Sequence, residues 1–195
     1  MKKKASPMIF AAMYFLLSLT PFSTVTGGQT LDAFHWGQPT EGVQMSLSSN
    51  DSNGSDLIVA LRNVGDHDVT LDLGYMMANG KVQLPAYISL NFTDAQGKTR
   101  TFKFADKKHP TVGGRLDDYV VPLRVGSMYT LKLTLDQFWC QETKEFEISL
   151  LPGKNRLTAE FQGSGARGVN LDMPGIKLMN FWLGKVESNP LVIER

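Results

Sequence analysis

Cysteine is almost absent from this chain, since Cys140 is the only one in 195 residues. A single cysteine excludes an internal disulfide, so a fold exported to an oxidising compartment would have to rest on its core alone. A domain of this length buries roughly two-thirds of the surface that its unfolded chain exposes, which makes such a core feasible. Cys140 follows Trp139 near the end of an apolar stretch. We interpret it as a structural, half-buried thiol; a redox role, a nucleophilic role or an intermolecular disulfide is the alternative.

Histidine is also scarce, and the groups that catalysis needs do not converge in the sequence. His35, His67 and His109 are the only histidines. No two of them have the spacing of metal ligands, and there is no cysteine pair for zinc. Adjacent Asp117 and Asp118 would point to opposite sides of a strand, which makes them a poor acid–base pair. With no G-x-S-x-G elbow and no phosphate loop either, we expect no catalytic residues, no metal and no cofactor, and hence not an enzyme.

Blocks of like charge are missing as well. The chain has 20 basic and 19 acidic residues and a formal net charge of +1. Its basic residues are scattered, apart from the short cluster Lys107, Lys108 and His109. A nucleic-acid-binding domain would show a basic patch or stripe. The charge pattern therefore argues against a nucleic-acid partner.

The N-terminal segment has the order of a secretory signal peptide. A basic start at residues 2–4 precedes an uncharged apolar run over residues 8–19, and small residues follow over 23–28. The apolar run is shorter than the roughly twenty residues that a helix needs to cross a bilayer. We predict a signal peptide over residues 1–27, cleaved near Gly27, and a mature protein that is soluble and either periplasmic or secreted. A retained membrane anchor is the alternative.

Helical periodicity is absent from the mature chain, where an alternation of apolar and polar residues dominates. We predict a lead-in arm over residues 28–40 and one domain over residues 41–195. Turn-forming clusters separate about ten short strands at spacings near ten residues. The strands are predicted over residues 43–47, 57–61, 69–73, 87–92, 99–104, 118–123, 129–135, 144–150, 156–161, 181–186 and 191–193.

This pattern predicts an all-β fold, and specifically an Ig-like β-sandwich of short, mostly antiparallel strands. A jelly roll is the competing all-β architecture. The strands over 57–61 and 69–73 are expected to form a hairpin, because only a short loop separates them. Pro122 is expected at a sheet edge, since proline cannot donate a hydrogen bond to a neighbouring strand.

Three stretches carry motifs of a structural kind. The first, residues 57–73, places Asn63-Val64-Gly65-Asp66 between two alternating apolar segments. The second begins at Leu151-Pro152-Gly153 and alternates through to Phe161. The third has the pattern F-W-x-G-x-V-x-S-N-P-L over residues 181–191.

Together these stretches resemble uncharacterised secreted bacterial immunoglobulin-like domain proteins, which are distantly similar to the immunoglobulin-like family of an intracellular proteinase inhibitor. The resemblance covers part of the mature chain and implies an exported Ig-like module without stating its role. The chain departs from the inhibitor group by its signal peptide and by the longer segment between the halves of its last hairpin. Both departures weaken any transfer of inhibitory function.

The segment over residues 163–180 is long for a connection in a compact domain, and such segments are often functional or disordered. It begins with small, glycine-rich residues and continues with apolar ones. Apolar loop residues either cap the core or are presented to a partner. Capping is one interpretation, and a partner-binding lip is the other. The candidate lip residues are Leu171, Met173, Pro174, Ile176 and Met179.

The aromatic residues raise a carbohydrate hypothesis, which needs several exposed rings in a row. The candidate rings are dispersed in the sequence, and Trp182 alternates with apolar neighbours in a way that favours the core; the rings are Trp139, Trp182, Tyr75, Tyr87 and Tyr119.

From the sequence as a whole we expect a non-enzymatic, exported binding or interaction module with a protein partner in the cell envelope. A protease-inhibitor-like protein that presents a loop is the alternative.

Overall fold

The computed structural model describes residues 34–51, 54–77, 80–105, 116–146, 148, 150, 152–165 and 180–194. The chain divides into two units, Met1–Thr30 and Leu31–Arg195, and every described residue belongs to the second. The predicted signal peptide and all five candidate lip residues lie outside the described residues. In the described part of the chain, no helix is long and apolar enough to cross a membrane.

Strands make up nearly all of the regular structure, which confirms the predicted all-β, sandwich-like class. Among the described residues, one 3₁₀ turn, Leu135–Gln137, lies between strands. The strands are β1 (Val43–Ser49), β2 (Asp56–Asn63), β3 (Val69–Met77), β4 (Val82–Leu84), β5 (Ile88–Thr93), β6 (Thr99–Phe104), β7 (Asp117–Leu123), β8 (Met128–Thr134), β9 (Phe138–Cys140), β10 (Glu145–Phe146), β11 (Lys154–Gln162), β12 (Lys185–Glu187) and β13 (Leu191–Glu194).

These strands form three antiparallel sheets. The first sheet has the order β1-β2-β8, and the second has the order β4-β3-β7. The large sheet has the order β10-β9-β6-β5-β11-β12, and β13 also pairs with β11. In immunoglobulin-like sandwiches the first two strands share a sheet with a later strand, while the third strand belongs to the opposite sheet. Strands β1, β2, β8 and β3 follow that arrangement.

The core is built from the alternate residues of each strand. Leu47, Leu61, Leu71, Phe92 and Phe161 are almost fully buried and belong to one cluster that draws on all three sheets. Removing one such side chain from water stabilises the fold by about 1.5–3 kcal/mol. Cys140 is fully buried in the same cluster, which favours the structural interpretation of this thiol.

The predicted hairpin between the second and third strands is wrong. β2 pairs with β1 and β8, whereas β3 pairs with β4 and β7, so the short loop between them crosses from one sheet to another. The alternation of apolar residues shows which face of a strand is buried but does not identify the strand beside it. Loop length alone therefore predicted the wrong neighbouring strand for β2.

Other predicted boundaries also differ from the structure. β4 and β9 were not predicted, because three residues are too few for an alternation to stand out. Of the strand expected over 144–150, the described residues include the short strand Glu145–Phe146. The strand expected over 181–186 is a lone bridge at Phe181 followed by β12.

Pro122 lies on β7, which is the last strand of the second sheet, as expected. β8 is likewise the last strand of the first sheet. The hydroxyl groups of Tyr119 on β7 and Tyr129 on β8 are 2.6 Å apart. This hydrogen bond joins the two edge strands through their side chains.

The described part of the lead-in arm lies along β1. Phe34 is buried, Trp36 forms a bridge with Ser46, and the Gly37 amide donates a hydrogen bond to the Met45 carbonyl at 2.8 Å. Above the arm, the Arg62 guanidinium lies 4.2 Å from the centre of the Trp36 ring. The arm residues from Phe34 onward are thus packed on the first sheet.

Candidate functional site

The long segment that sequence reasoning selected begins and ends beside the same strand, β3. At its start, the Ser164 hydroxyl donates a hydrogen bond to Oδ2 of Asp72 at 3.4 Å. At its end, the Asn180 side-chain amide donates to the Asp68 carbonyl at 3.1 Å, and the Asn180 carbonyl accepts from the Thr70 amide at 2.8 Å. Both ends of the segment that contains the candidate lip are therefore fixed to β3.

Asp72 is a fully buried carboxylate at an irregularity in β3. The register between β3 and β7 shifts between Asp72 and Tyr75, and the Gly74 amide donates to Oδ1 of Asp72 at 3.1 Å. Such bulges redirect side chains and are frequent beside functional sites. Here the irregularity begins at Asp72, whose carboxylate accepts the hydrogen bond from Ser164.

Two tyrosines extend this polar group. The Tyr87 hydroxyl donates to the Tyr75 hydroxyl at 3.0 Å, and the two rings meet edge to face. Burial, followed by the hydrogen bond with Tyr75 and the negative charge of Asp72, raises the pKa of Tyr87 to about 12. The Tyr87 phenol is therefore neutral at ordinary pH.

The described contacts of this group hold the start of the long segment in position. An activated serine needs an adjacent base that removes its proton, most often an imidazole or an amine. The described contacts of Ser164 are with Asp72 and Tyr87, and neither is such a group. The arrangement instead holds the first residues of the long segment against β3.

A second group of residues lies where three loops meet, which we call the loop end. It comprises the turns at residues 41–42, 64–68 and 124–127 together with residues 180–184. The amides of Val64 and Gly65 both donate to the Gly42 carbonyl, at 2.7 and 3.1 Å. The Val125 amide donates to Oδ1 of Asp68 at 2.9 Å. Backbone and side-chain hydrogen bonds thus tie the three turns together.

Asn63 holds the loop end together. Its side chain is 1% exposed, and its amide nitrogen donates to the His67 carbonyl at 2.9 Å and to the Leu123 carbonyl at 3.0 Å. Its side-chain oxygen accepts from the Gly65 amide at 2.9 Å. One side chain therefore fixes the β2–β3 turn and links it to the end of β7. The motif Asn63-Val64-Gly65-Asp66 thus has a structural basis in this turn.

Trp182 supports the loop end from below. It is 4% exposed, its ring stacks on Phe161 at 5.5 Å, and its indole nitrogen donates to the Glu41 carbonyl at 3.1 Å. Gly163 and Gly184 lie against the ring, and a Cβ at either position would come within 2.6 Å of a ring atom. The expectation that Trp182 belongs to the core is confirmed.

A cleft of about 370 Å³ opens at this end of the molecule. Leu183 is on its rim, with 63% of its surface exposed. Next to it is a smaller hollow of about 260 Å³ between Val64 and Val125, which are 46% and 49% exposed. The cleft is lined by Glu41, Gly42, Gly65, Asp66, His67, Val69, Asn180, Phe181, Trp182 and Leu183.

Electrostatics in the cleft are mild. Nδ1 of His67 lies 2.7 Å from Oδ1 of Asp66, and this hydrogen bond lowers the pKa of the Asp66 carboxyl. Both side chains are largely exposed. Within the described ranges, no group of three His, Cys, Asp or Glu residues could hold a metal ion. The cleft is therefore a weakly charged surface with an apolar rim.

Sequence reasoning found the long segment but missed the residues around it. Glu41, Gly65 and Leu183 are far apart in the chain, and the pairing of the sheets brings them together at the cleft. The buried Asp72 carried no signal, because an aspartate in an alternating strand is expected to face solvent. Asn63 did have a signal, namely the turn motif that follows it.

Comparison with known proteins does not extend this description. No protein-family model matches the chain, and no curated protein matches it.

Proposed function

We propose that this protein is a non-enzymatic, exported binding module that contacts a protein partner of the cell envelope through the loop end. The observation that carries the proposal is the cleft whose rim exposes Leu183, beside exposed Val64 and Val125. Exposed apolar side chains that cluster around a hollow are typical of interaction sites. The loops of immunoglobulin-like sandwiches gather at such an end and serve recognition there.

The rigidity of the loop end supports this proposal. The side chain of Asn63, with its three hydrogen bonds, fixes the turns before a partner arrives. A surface that is already ordered loses less conformational entropy on binding, which leaves more of the interaction free energy as affinity. The candidate lip residues come just before Asn180 in the sequence, and Asn180 lines the cleft.

Leu183→Asp tests the loop end directly. The matched control is Val192→Asp, because Val192 is 56% exposed on β13 and does not line the cleft. Tagged protein is incubated with an envelope extract, and captured proteins are identified. We expect wild type and Val192→Asp to retain the same partner and Leu183→Asp to lose it, with unchanged melting temperatures. Equal capture by all three proteins would refute the proposal.

A double variant, Met173→Ser with Ile176→Ser, distinguishes a lip from a cap. If these side chains are presented to the partner, capture is lost and the melting temperature stays nearly unchanged. If they cap the core, the protein loses several kcal/mol, at about 1.5–3 kcal/mol for each buried side chain. Calorimetry and capture on the same samples separate the two outcomes.

A protease-inhibitor-like function is the second candidate. It is favoured by the fixing of both ends of the long segment to β3, through Ser164 and Asn180. Fixed ends would keep a cleaved segment in place and oppose its release. An inhibitor should slow a trypsin-like protease on another substrate while resisting cleavage at Arg167. Rapid cleavage at Arg167 without any slowing would dismiss this function.

A further inference from the structure

The outer face of the large sheet carries a continuous row of side chains that the loop end does not involve. Successive strands pair so that one residue from each of six strands lies side by side in register. We call this set the outer row. It consists of Phe146, Trp139, Lys103, Ser89, Glu160 and Glu187.

These side chains face away from the core because their neighbours along each strand face into it. Phe102 and Cys140 are buried and directly paired. Lys103 follows Phe102, and Trp139 precedes Cys140, so both side chains point to the opposite face of the sheet. Leu90 on β5 is fully buried in the same way, so Ser89 points outward. Neighbouring strands are about 4.8 Å apart, so the row crosses the sheet in even steps.

One end of the outer row is aromatic. The rings of Trp139 and Phe146 have centroids 6.4 Å apart and are tilted by 45°. Phe146 is 43% exposed, and Trp139 is partly exposed beside it. These two residues are separated in the sequence and meet only because β9 pairs with β10. Sequence reasoning judged the aromatics too dispersed for a sugar site and did not consider Phe146.

The rest of this face is polar and nearly neutral. The Thr101 hydroxyl donates to Oδ1 of Asn91 at 2.8 Å, and the Asn91 amide donates to Oε2 of Glu160 at 3.3 Å. Nζ of Lys185 forms ion pairs with Glu160 at 3.0 Å and with Glu187 at 3.3 Å. Hydrogen-bonding groups are therefore held in place, while positive and negative charges offset one another.

We propose that this face binds a neutral glycan chain, which lies along the outer row with one sugar ring against Trp139 and Phe146. The C–H face of a sugar packs on an aromatic ring, which buries apolar surface without breaking hydrogen bonds. The sugar hydroxyls then meet the polar groups of Lys103, Ser89 and Glu160, spaced along the row. A sheet face with donors and acceptors held in place suits an extended, uncharged polyol chain.

Other ligands fit this face less well. A nucleic acid would need a basic stripe, whereas the acidic Glu160 and Glu187 occupy one end of the row. A stable protein interface has an apolar centre depleted of charged residues. The centre of this row is Lys103, Ser89 and Glu160.

Indole NMR signals give a direct test, because the chain has three tryptophans. Trp36→Phe, Trp139→Phe and Trp182→Phe variants assign the indole N–H signals. The wild-type domain is then titrated with soluble β-linked oligosaccharides of glucose, N-acetylglucosamine, mannose and xylose, and with α-linked maltooligosaccharides. We expect a saturable shift of the Trp139 signal with at least one of them, and an unmoved Trp182 signal. The proposal would be overturned if the Trp139 signal did not shift with any sugar at a concentration about ten times a millimolar Kd.

Variants make the test specific to the row. Trp139→Ala and Phe146→Ala should each weaken binding of the responding sugar about tenfold or more, the effect of roughly 1.4 kcal/mol of lost stacking. Leu183→Asp should bind it as wild type does, and Trp139→Ala should still capture the protein partner. Because the two sites are separate, failure of one proposal leaves the other measurable. Unchanged sugar binding by folded Trp139→Ala or Phe146→Ala would also overturn the glycan site.

Discussion

Replacing Asn63 with alanine removes the side chain that links the loops beneath the cleft. Three hydrogen bonds are lost: two donated to the carbonyls of His67 and Leu123, and one accepted from the Gly65 amide. Each such bond contributes about 1 kcal/mol net, and the loss is larger where a buried group is left without a partner. We therefore expect Asn63→Ala to lower the free energy of unfolding by about 3 kcal/mol.

Urea denaturation followed by tryptophan fluorescence measures this loss. In a domain of this size, about 3 kcal/mol corresponds to a fall of roughly 6–12 °C in melting temperature. The control is Asn50→Ala, since Asn50 is exposed and its side chain forms no hydrogen bond that the structure describes. That change should stay within about 0.5 kcal/mol of wild type.

Asn63→Asp distinguishes the two hydrogen bonds that Asn63 donates from the one that it accepts. An aspartate can still accept from the Gly65 amide, but it cannot donate to the two carbonyls, and it brings a charge into a 1% exposed site. It should be at least as destabilising as alanine, because an uncompensated buried charge is costly. A loss of less than about 1 kcal/mol in both variants would refute the view that Asn63 holds these loops together.

Trp182, Tyr87 and the N-terminal segment give three further predictions. Trp182→Ala should cost about 3–5 kcal/mol in urea denaturation, the range for truncating a large buried aromatic, and a loss under about 1 kcal/mol would contradict its place in the core. The folded pKa of Tyr87 is about 12, above the unfolded value of 10.0. Its contribution to stability is therefore complete below pH 10 and is lost as the pH rises toward 12. Tyr87→Phe should flatten that alkaline decline in stability. An unchanged decline in the variant would contradict the raised pKa of Tyr87. N-terminal sequencing of exported protein should find a start between Ser23 and Gln29, whereas an intact Met1 on soluble cytoplasmic protein would contradict export.

The fold class was predictable because alternation is a local property of the sequence. Residues 43–47 and 57–61 alternate cleanly, and they lie in β1 and β2, whose apolar residues are buried. Pro122 could be assigned to an edge strand for an equally local reason, its missing amide hydrogen. Each of these inferences needs only a few consecutive residues.

The pairing of strands was not predictable in the same way. Whether β2 pairs with β3 or with β8 depends on which arrangement buries the whole set of apolar faces, and no single segment contains that information. The cleft and the aromatic pair follow from pairing, so both escaped detection in the sequence. Trp139 and Phe146 each look unremarkable until β9 and β10 are placed side by side.

The contacts between the two ends of the described chain have a consequence for timing during synthesis. Met45 on β1 forms a parallel bridge with Ser188, and the indole of Trp182 donates to the Glu41 carbonyl. The first sheet therefore lacks essential neighbours until residues 180–194 have left the ribosome. Chains dominated by such distant contacts also fold slowly. We expect a nascent chain that stays unfolded until residues 180–194 have been synthesised, the state that a translocation pore for unfolded chains requires. A chain that ends at Gly165 should accordingly remain protease-sensitive, and a protease-resistant core in it would refute this order of events.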